Sequence, residues 1–356
     1  MSNELTFIGF QIRQAIEDKQ LHTLQSLLED DACTAEVLLE RCVKFNSTSL
    51  HLAIETGSSE IVSALVNSKH CTEALLSAVN SQGYPALCAA ISKNSEEMTE
   101  AILLSKHCQK QTIVASTQDR SRCNALHLAV MSKNNRIVRA LLNSKYASEL
   151  LDARCRPILL SYNPFELAAL DANTEMLTDF ICHPAFMKSK QNLKEIHISL
   201  DIELLGIKGA VALFEKRKHY LYQTEKLITA LSSKIDYFNK KNYKDKMLVR
   251  KVRDELKAAK EEYEGGILTP ELQESFEAAC FNVLREARNA EVKQHLQVFR
   301  GGIRGLIDSF LKCIGCDAQI KSNRGRFFVP QTKTEVLWNR FEELIPQVNS
   351  PSPFSS

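Results

Sequence analysis

Long apolar runs are missing from this chain: no stretch approaches the roughly 18 uninterrupted apolar residues of a membrane-spanning helix. The start, Met1-Ser2-Asn3-Glu4-Leu5, has neither the basic nor the apolar region of a signal peptide. These absences predict a soluble protein outside the general secretory route. Glycine loops that cradle phosphate, of the GxxxxGK[ST] or GxGxxG kind, are absent, as are the GxSxG elbow, the HExxH zinc helix and the EF-hand spacing. The common nucleotide, hydrolase and metal chemistries lose their signatures, and no cofactor is expected. Cys313-Ile314-Gly315-Cys316 is metal-like, but zinc needs four ligands, no second cysteine pair exists, and His295 is the nearest further candidate. No metal site is expected. Aromatic residues are 7% of the chain. From Lys240 to Lys260 the basic residues are interleaved with Asp245, Asp254 and Glu255, with few aromatics to stack bases, which argues against nucleic acid.

What is present begins with cysteine. The 11 cysteines are odd in number, and Cys71 and Cys108 occupy equivalent places in a recurring unit rather than a disulfide framework, which predicts a reducing compartment. The net charge of +2 conceals an asymmetry. Residues 190–356 carry 28 Lys or Arg against 22 Asp or Glu, a surplus of 6, so residues 1–189 sum to −4.

The recurring unit is clearest at Ser49-Leu50-His51-Leu52-Ala53-Ile54-Glu55-Thr56-Gly57, followed by Ile61-Val62 and Leu65-Val66. It returns at Ala125-Leu126-His127-Leu128-Ala129-Val130 with Ile137-Val138 and Leu141-Leu142. Weaker copies centre on Ala90 and Ala168, and a degenerate first copy on Ala15. The five anchor alanines Ala15, Ala53, Ala90, Ala129 and Ala168 lie 38, 37, 39 and 39 residues apart, a period that predicts a stacked array. Within a unit, Leu50, Ala53 and Ile54 share one helical face, Gly57-Ser58-Ser59 stops that helix and caps the next, and Ile61, Val62, Leu65 and Val66 line the second helix. Such hairpins bury a core only when stacked.

Thr48-Ser49-Leu50-His51-Leu52-Ala53, then Gly57 and Ile61-Val62, resembles the ankyrin signature Thr-Pro-Leu-His-x-Ala, with Ser in place of Pro. Asn124-Ala125-Leu126-His127 lacks both Thr and Pro; Cys88 stands for the histidine in one copy and Phe165-Glu166 for Leu-His in another. The period exceeds the usual ankyrin length, with the surplus after Ser68-Lys69-His70-Cys71 and Ser105-Lys106-His107-Cys108, suggesting a lengthened outer helix or an extra turn. His183-Pro184-Ala185-Phe186 resembles the start of the Fic transferase motif, but Met187-Lys188-Ser189-Lys190 lacks its glycines and acid.

Beyond the repeats the pattern stays helical. Phe214, Leu221, Ile228 and Ile235, with Leu231 and Phe238, form the stripe of a helix of about 25 to 30 residues. Leu248, Val252, Leu256, Ala259 and Tyr263 line a second helix, and the two predict a long antiparallel hairpin, packed into its own bundle or projecting as a coiled coil. Thr269-Pro270-Glu271 starts a third helix; residues 303–314 and 336–345 supply two more. The expected architecture is all-α: an ankyrin-repeat solenoid of about five degenerate repeats over residues 1–190, an α-helical domain over 191–346, and a disordered tail over 347–356.

The ankyrin resemblance implies protein binding through hairpin tips and the inner-helix row. Mapped onto this chain, those surfaces take in Glu55, Thr56, Lys93, Met131 and Asp171 along the row, and Tyr84, Arg120, Arg122 and Tyr162 at the tips. The whole chain resembles ankyrin effectors that intracellular bacteria deliver through a Dot/Icm-type IV secretion system into the host cytoplasm. That resemblance implies a host protein as partner and a C-terminal signal carried by Glu342, Glu343, Ser350, Ser352 and Ser355. A peripheral membrane contact is open through Ile303, Leu306, Ile307, Phe310 and Leu311, with Cys313 and Cys316 as lipid acceptors. Two alternatives stand: an effector enzyme drawing on Cys280, His197, His219 or His295 in the helical domain, and a cytosolic adaptor that is never secreted.

Overall fold

The computed structural model describes residues 2–42, 46–156, 161–189, 206–241, 246–293, 299 and 302–314. It divides into two compact units, Met1–Ala210 and Val211–Ser356.

The first unit is five helical triplets. They are α1 (Ser2–Glu17), α2 (Leu21–Glu29) and α3 (Ala35–Leu39); α4 (Ser49–Thr56), α5 (Ser59–Asn67) and α6 (Glu73–Ser77); α7 (Ala86–Ser92), α8 (Glu96–Leu104) and α9 (Lys110–Val114). The array continues with α10 (Ala125–Met131), α11 (Asn135–Leu142) and α12 (Ala147–Asp152), then α13 (Pro164–Leu170), α14 (Thr174–Cys182) and α15 (Pro184–Lys188). The inner helices α1, α4, α7, α10 and α13 pack in succession, as do the outer helices α2, α5, α8, α11 and α14. All five anchor alanines are buried between inner helices, where a methyl group permits close approach.

The surplus of the period is a third helix of five or six residues in each repeat, separate from the outer helix. Its start is locally encoded: Thr34 and Thr72 accept the backbone N–H groups of Val37 and Leu75. Leu38, Leu75, Leu76, Leu150 and Leu151 on these helices are fully buried, each contributing about 1.5–3 kcal/mol by burial.

Four residues beyond each anchor alanine the chain turns left-handed, with φ +54 at Lys19, +76 at Gly57, +55 at Asn94, +55 at Lys133 and +49 at Ala172. The next residue caps the outer helix in four repeats: Ser58, Ser95, Asn134 and Asn173 accept the N–H groups of Ile61, Met98, Ile137 and Met176. Only one of the five turns uses glycine, which explains why the repeats read so unevenly in the sequence. No strand forms among the described residues; isolated bridges such as Val79 to Pro85 and Cys155 to Tyr162 close the hairpin before an inner helix.

The second unit packs α16 (Lys208–Lys241), α17 (Lys246–Gly265) and α18 (Pro270–Lys293), with α19 (Gly302–Cys313) following. Helix α16 has 34 residues, longer than the apolar stripe alone predicts. It runs antiparallel to α17: Arg217 Nη2 donates to the carbonyls of Tyr263 and Gly266, Lys260 pairs with Glu225 at 3.1 Å, and Arg250 meets Asn239 at 3.2 Å. Helix α18 closes the hairpin into a bundle, with Tyr263 stacked on Phe276 at 4.3 Å and the Tyr220 hydroxyl donating to Glu277 at 2.7 Å. Thr269 caps α18 as its sequence predicts, accepting from Leu272 N. On α17, Val249 takes the core position and Leu248 is only half-buried. Residues 315–356, including Cys316, the helix expected at 336–345 and the tail residues Glu342, Glu343, Ser350, Ser352 and Ser355, lie outside the described residues, as do His197 and His295.

Candidate protein-binding face

The candidate face is built on two seams that histidine holds together. His51 Nε2–H donates to the Tyr84 carbonyl on the next repeat's tip at 3.0 Å, and its Nδ1 accepts from the Thr48 hydroxyl at 2.9 Å. His127 Nε2–H likewise donates to the Tyr162 carbonyl at 3.1 Å, and its Nδ1 accepts the Asn124 backbone N–H at 3.3 Å in a capping box. Burial pushes both imidazoles down to about 4, so they are neutral at ordinary pH. Where the sequence lacks histidine, other groups take over. The Cys88 thiol lies 3.8 Å from the Ala115 carbonyl. Glu166 closes a capping box with Asn163, accepting its N–H at 2.9 Å, and pairs with Arg154 at 3.0 Å.

The tips are tied to one another by backbone. Gln118 N–H donates to the Gly83 carbonyl at 2.8 Å, and Arg156 N–H to the Ser121 carbonyl at 2.7 Å. The Asp119 carboxylate is occupied by the hydroxyls of Thr117 and Ser121 at 2.6 and 2.7 Å and by Arg122 N–H. These bonds present Arg120 and Arg122 to solvent, whereas Tyr84 and Tyr162 are half-buried and act through their carbonyls as much as their rings.

Of the expected row residues, Glu55 is exposed and pairs with Lys93 at 2.8 Å, and Asp171 pairs with Lys133 at 3.5 Å. Thr56 turns its hydroxyl onto the Ala53 carbonyl at 2.7 Å, so it contributes little to a ligand. Met131 is 50% exposed. Glu55 and Thr56 also line a cleft of about 480 Å³ with Glu17, Leu52 and the tip residues Ser81 and Gln82. Sequence reasoning passed over Glu17 and Leu170, although both stand two residues after an anchor alanine, in the register of Glu55 and Met131.

The helical unit offers less to a ligand or a nucleophile. Cys280 is fully buried on α18 with its thiol pushed up to about 12 by desolvation, which leaves it protonated and inert. His219 is exposed on α16. On α19, Ile303, Ile307, Phe310 and Leu311 are buried, so the face proposed for a membrane is spent on the core. No helix of the described residues is long and apolar enough to cross a membrane, and among them no group of three His, Cys, Asp or Glu is placed to hold a metal.

Helix hairpins stacked on buried alanines, with tips beside an inner row, define a repeat solenoid. Two family models then name the repeat: "Ankyrin repeats (3 copies)" matches residues 12–114 and "Ankyrin repeat" matches 121–155. Over these residues the fold is an ankyrin-repeat solenoid, and ankyrin arrays are protein–protein interaction modules. The fifth hairpin, α13 to α15, lies beyond the matched residues. Among solved structures the chain is similar to the ankyrin repeat domain of Bcl-3, a member of the IkappaB family, at 19% identity over 58% of this chain and 83% of that one, with a TM-score of 0.36. No curated protein matches the sequence.

Proposed function

We propose that residues 1–190 recruit a protein ligand along the groove between the tips and the inner row, and that the helical domain over 191–346 supplies a second interaction. The observation that carries this reading is the row itself: Glu55, Lys93, Met131 and Asp171 stay at the surface while every neighbouring anchor alanine is buried. We propose further that the chain is a bacterial effector delivered by a type IV secretion system, its ligand a host protein. The support is the resemblance of the architecture to such effectors and the tail after Glu342-Glu343, rich in Ser, Pro and Asn.

Affinity capture from eukaryotic cytosol with the full chain tests the first part. A stoichiometric protein retained by the native chain and lost on Arg122→Ala is the expected result; retention unchanged by that and by Met131→Ala removes the groove as the binding surface. Deleting residues 349–356 from a reporter fusion tests the second, with loss of delivery into host cells expected. A protein that functions in its own cytosol, with delivery never observed, is the adaptor alternative.

A further inference from the structure

The row two residues beyond each anchor alanine is graded. It runs Glu17, Glu55, Ser92, Met131, Leu170, all exposed, from carboxylates at the first repeat to apolar side chains at the last, with Met131 and Leu170 at 50% and 54% exposure.

The acidic end runs against helix electrostatics. Glu17 is the last residue of α1 and Glu55 the penultimate residue of α4, and neither helix has a cation in its last turn. Carboxylates at helix C-termini are destabilising, since the terminal carbonyls already concentrate negative potential there. Both flank the 480 Å³ cleft, whose other wall is neutral, made by Ser47, Asn80, Ser81 and Gln82, with Asn80 Oδ1 taken up by the N–H groups of Gln82 and Tyr84. Lys93 occupies Glu55, but Glu17 has no ion pair among the described residues. At the other end the floor carries Met131 and Leu170 beside the neutralised Lys133–Asp171 pair, and the tips are cationic: Arg120, Arg122 and Arg156 are exposed on two tips joined by the bond from Arg156 N–H to the Ser121 carbonyl, and none forms an ion pair among the described residues.

We infer that the groove binds a polypeptide segment of matching polarity, with Lys or Arg seated against Glu17 and Glu55 at one end, and apolar side chains flanked by carboxylates set on Met131 and Leu170 beneath the arginine tips at the other. This deepens the reading that the repeats bind a protein through their concave side and rests on it. Four inner-helix spacings of about 10 Å make the row roughly 40 Å long, the span of about 12 extended residues. A nucleic acid matches only the arginine tips and is repelled at Glu17 and Glu55, whereas a polypeptide satisfies both ends.

The test uses the full chain and fluorescent 14-residue peptides read by anisotropy. One peptide carries Lys and Arg at one end and Leu with Asp at the other. A second has the charges exchanged. Each is made in both chain directions. The matched peptide binds at least tenfold more tightly than its charge-exchanged partner in at least one direction. The double variant Glu17→Gln, Glu55→Gln weakens it about tenfold and flattens its salt dependence, while Met131→Ala with Leu170→Ala weakens it with the salt dependence intact. Circular dichroism confirms that the variants are folded.

Equal binding of both peptides, or indifference to both double variants, overturns the inference. So does competition by a single-stranded RNA oligomer at equal affinity, or self-association of the chain that Met131→Ala and Leu170→Ala abolish, which assigns the face to a second copy. If cytosolic capture still depends on Arg122 while the peptides fail to discriminate, the groove reading stands and its polarity falls. If capture fails as well, both fall.

Discussion

At the scale of single residues, the buried histidines make a signed prediction. His51 and His127 have folded values of about 4 against an ordinary value near 6.5. The unfolded chain therefore binds more protons between these values, so stability is full above pH 6.5 and is lost as pH falls toward 4, by roughly 3 kcal/mol per histidine at most. Urea denaturation at pH 7.5, 5.5 and 4.5 measures this, and a His51→Gln, His127→Gln chain, less stable at pH 7.5, shows a flatter dependence. Two left-handed glycines make a second comparison. A Cβ at Gly83 lies 2.9 Å from Gln118 Cβ and close to that residue's backbone, whereas one at Gly57 meets nothing within 4 Å. Both alanine variants carry the left-handed cost of about 1 kcal/mol, and Gly83→Ala is the more destabilising by a further 1–3 kcal/mol because the tip-to-tip bond must shift; thermal melts rank them.

At the scale of elements, Thr72→Ala removes the cap of α6 and lowers stability by about 1 kcal/mol. Arg139→Ala, though it breaks pairs with Glu175 and Asp179 at 2.7 and 2.8 Å, changes it by less than about 1 kcal/mol because that side chain is half exposed. Equilibrium unfolding distinguishes the two. The hairpins and their period were legible because apolar spacing and the anchor alanines repeat in the sequence. The third helices were legible only as surplus length, since five residues are too few to display a helical period. The α16 to α18 bundle was half legible: the stripes on α16 and α17 are plain, but the partner that buries them is fixed by Tyr263 against Phe276, a contact that spacing alone does not encode. In the groove, Glu55 and Met131 were found from the inner-row pattern. Glu17 was missed because its repeat is the most degenerate, and Leu170 because an exposed leucine reads as core.

At the scale of the whole molecule, a stacked array is stabilised by neighbours, and a terminal repeat has only one. Amide hydrogen exchange is accordingly expected to be slowest in α7, α8 and α10 and to quicken toward α1 and α15; uniform protection along the array contradicts this picture. The third helices extend the same logic. Each repeat carries its own, and α3 packs on α6, α6 on α9 and α12 on α15. Gain or loss of one whole unit therefore keeps the helix-on-helix stacking, while the polar seam at the new junction changes with the residues brought together. The groove lengthens or shortens in steps of about 10 Å, so its length is set by copy number.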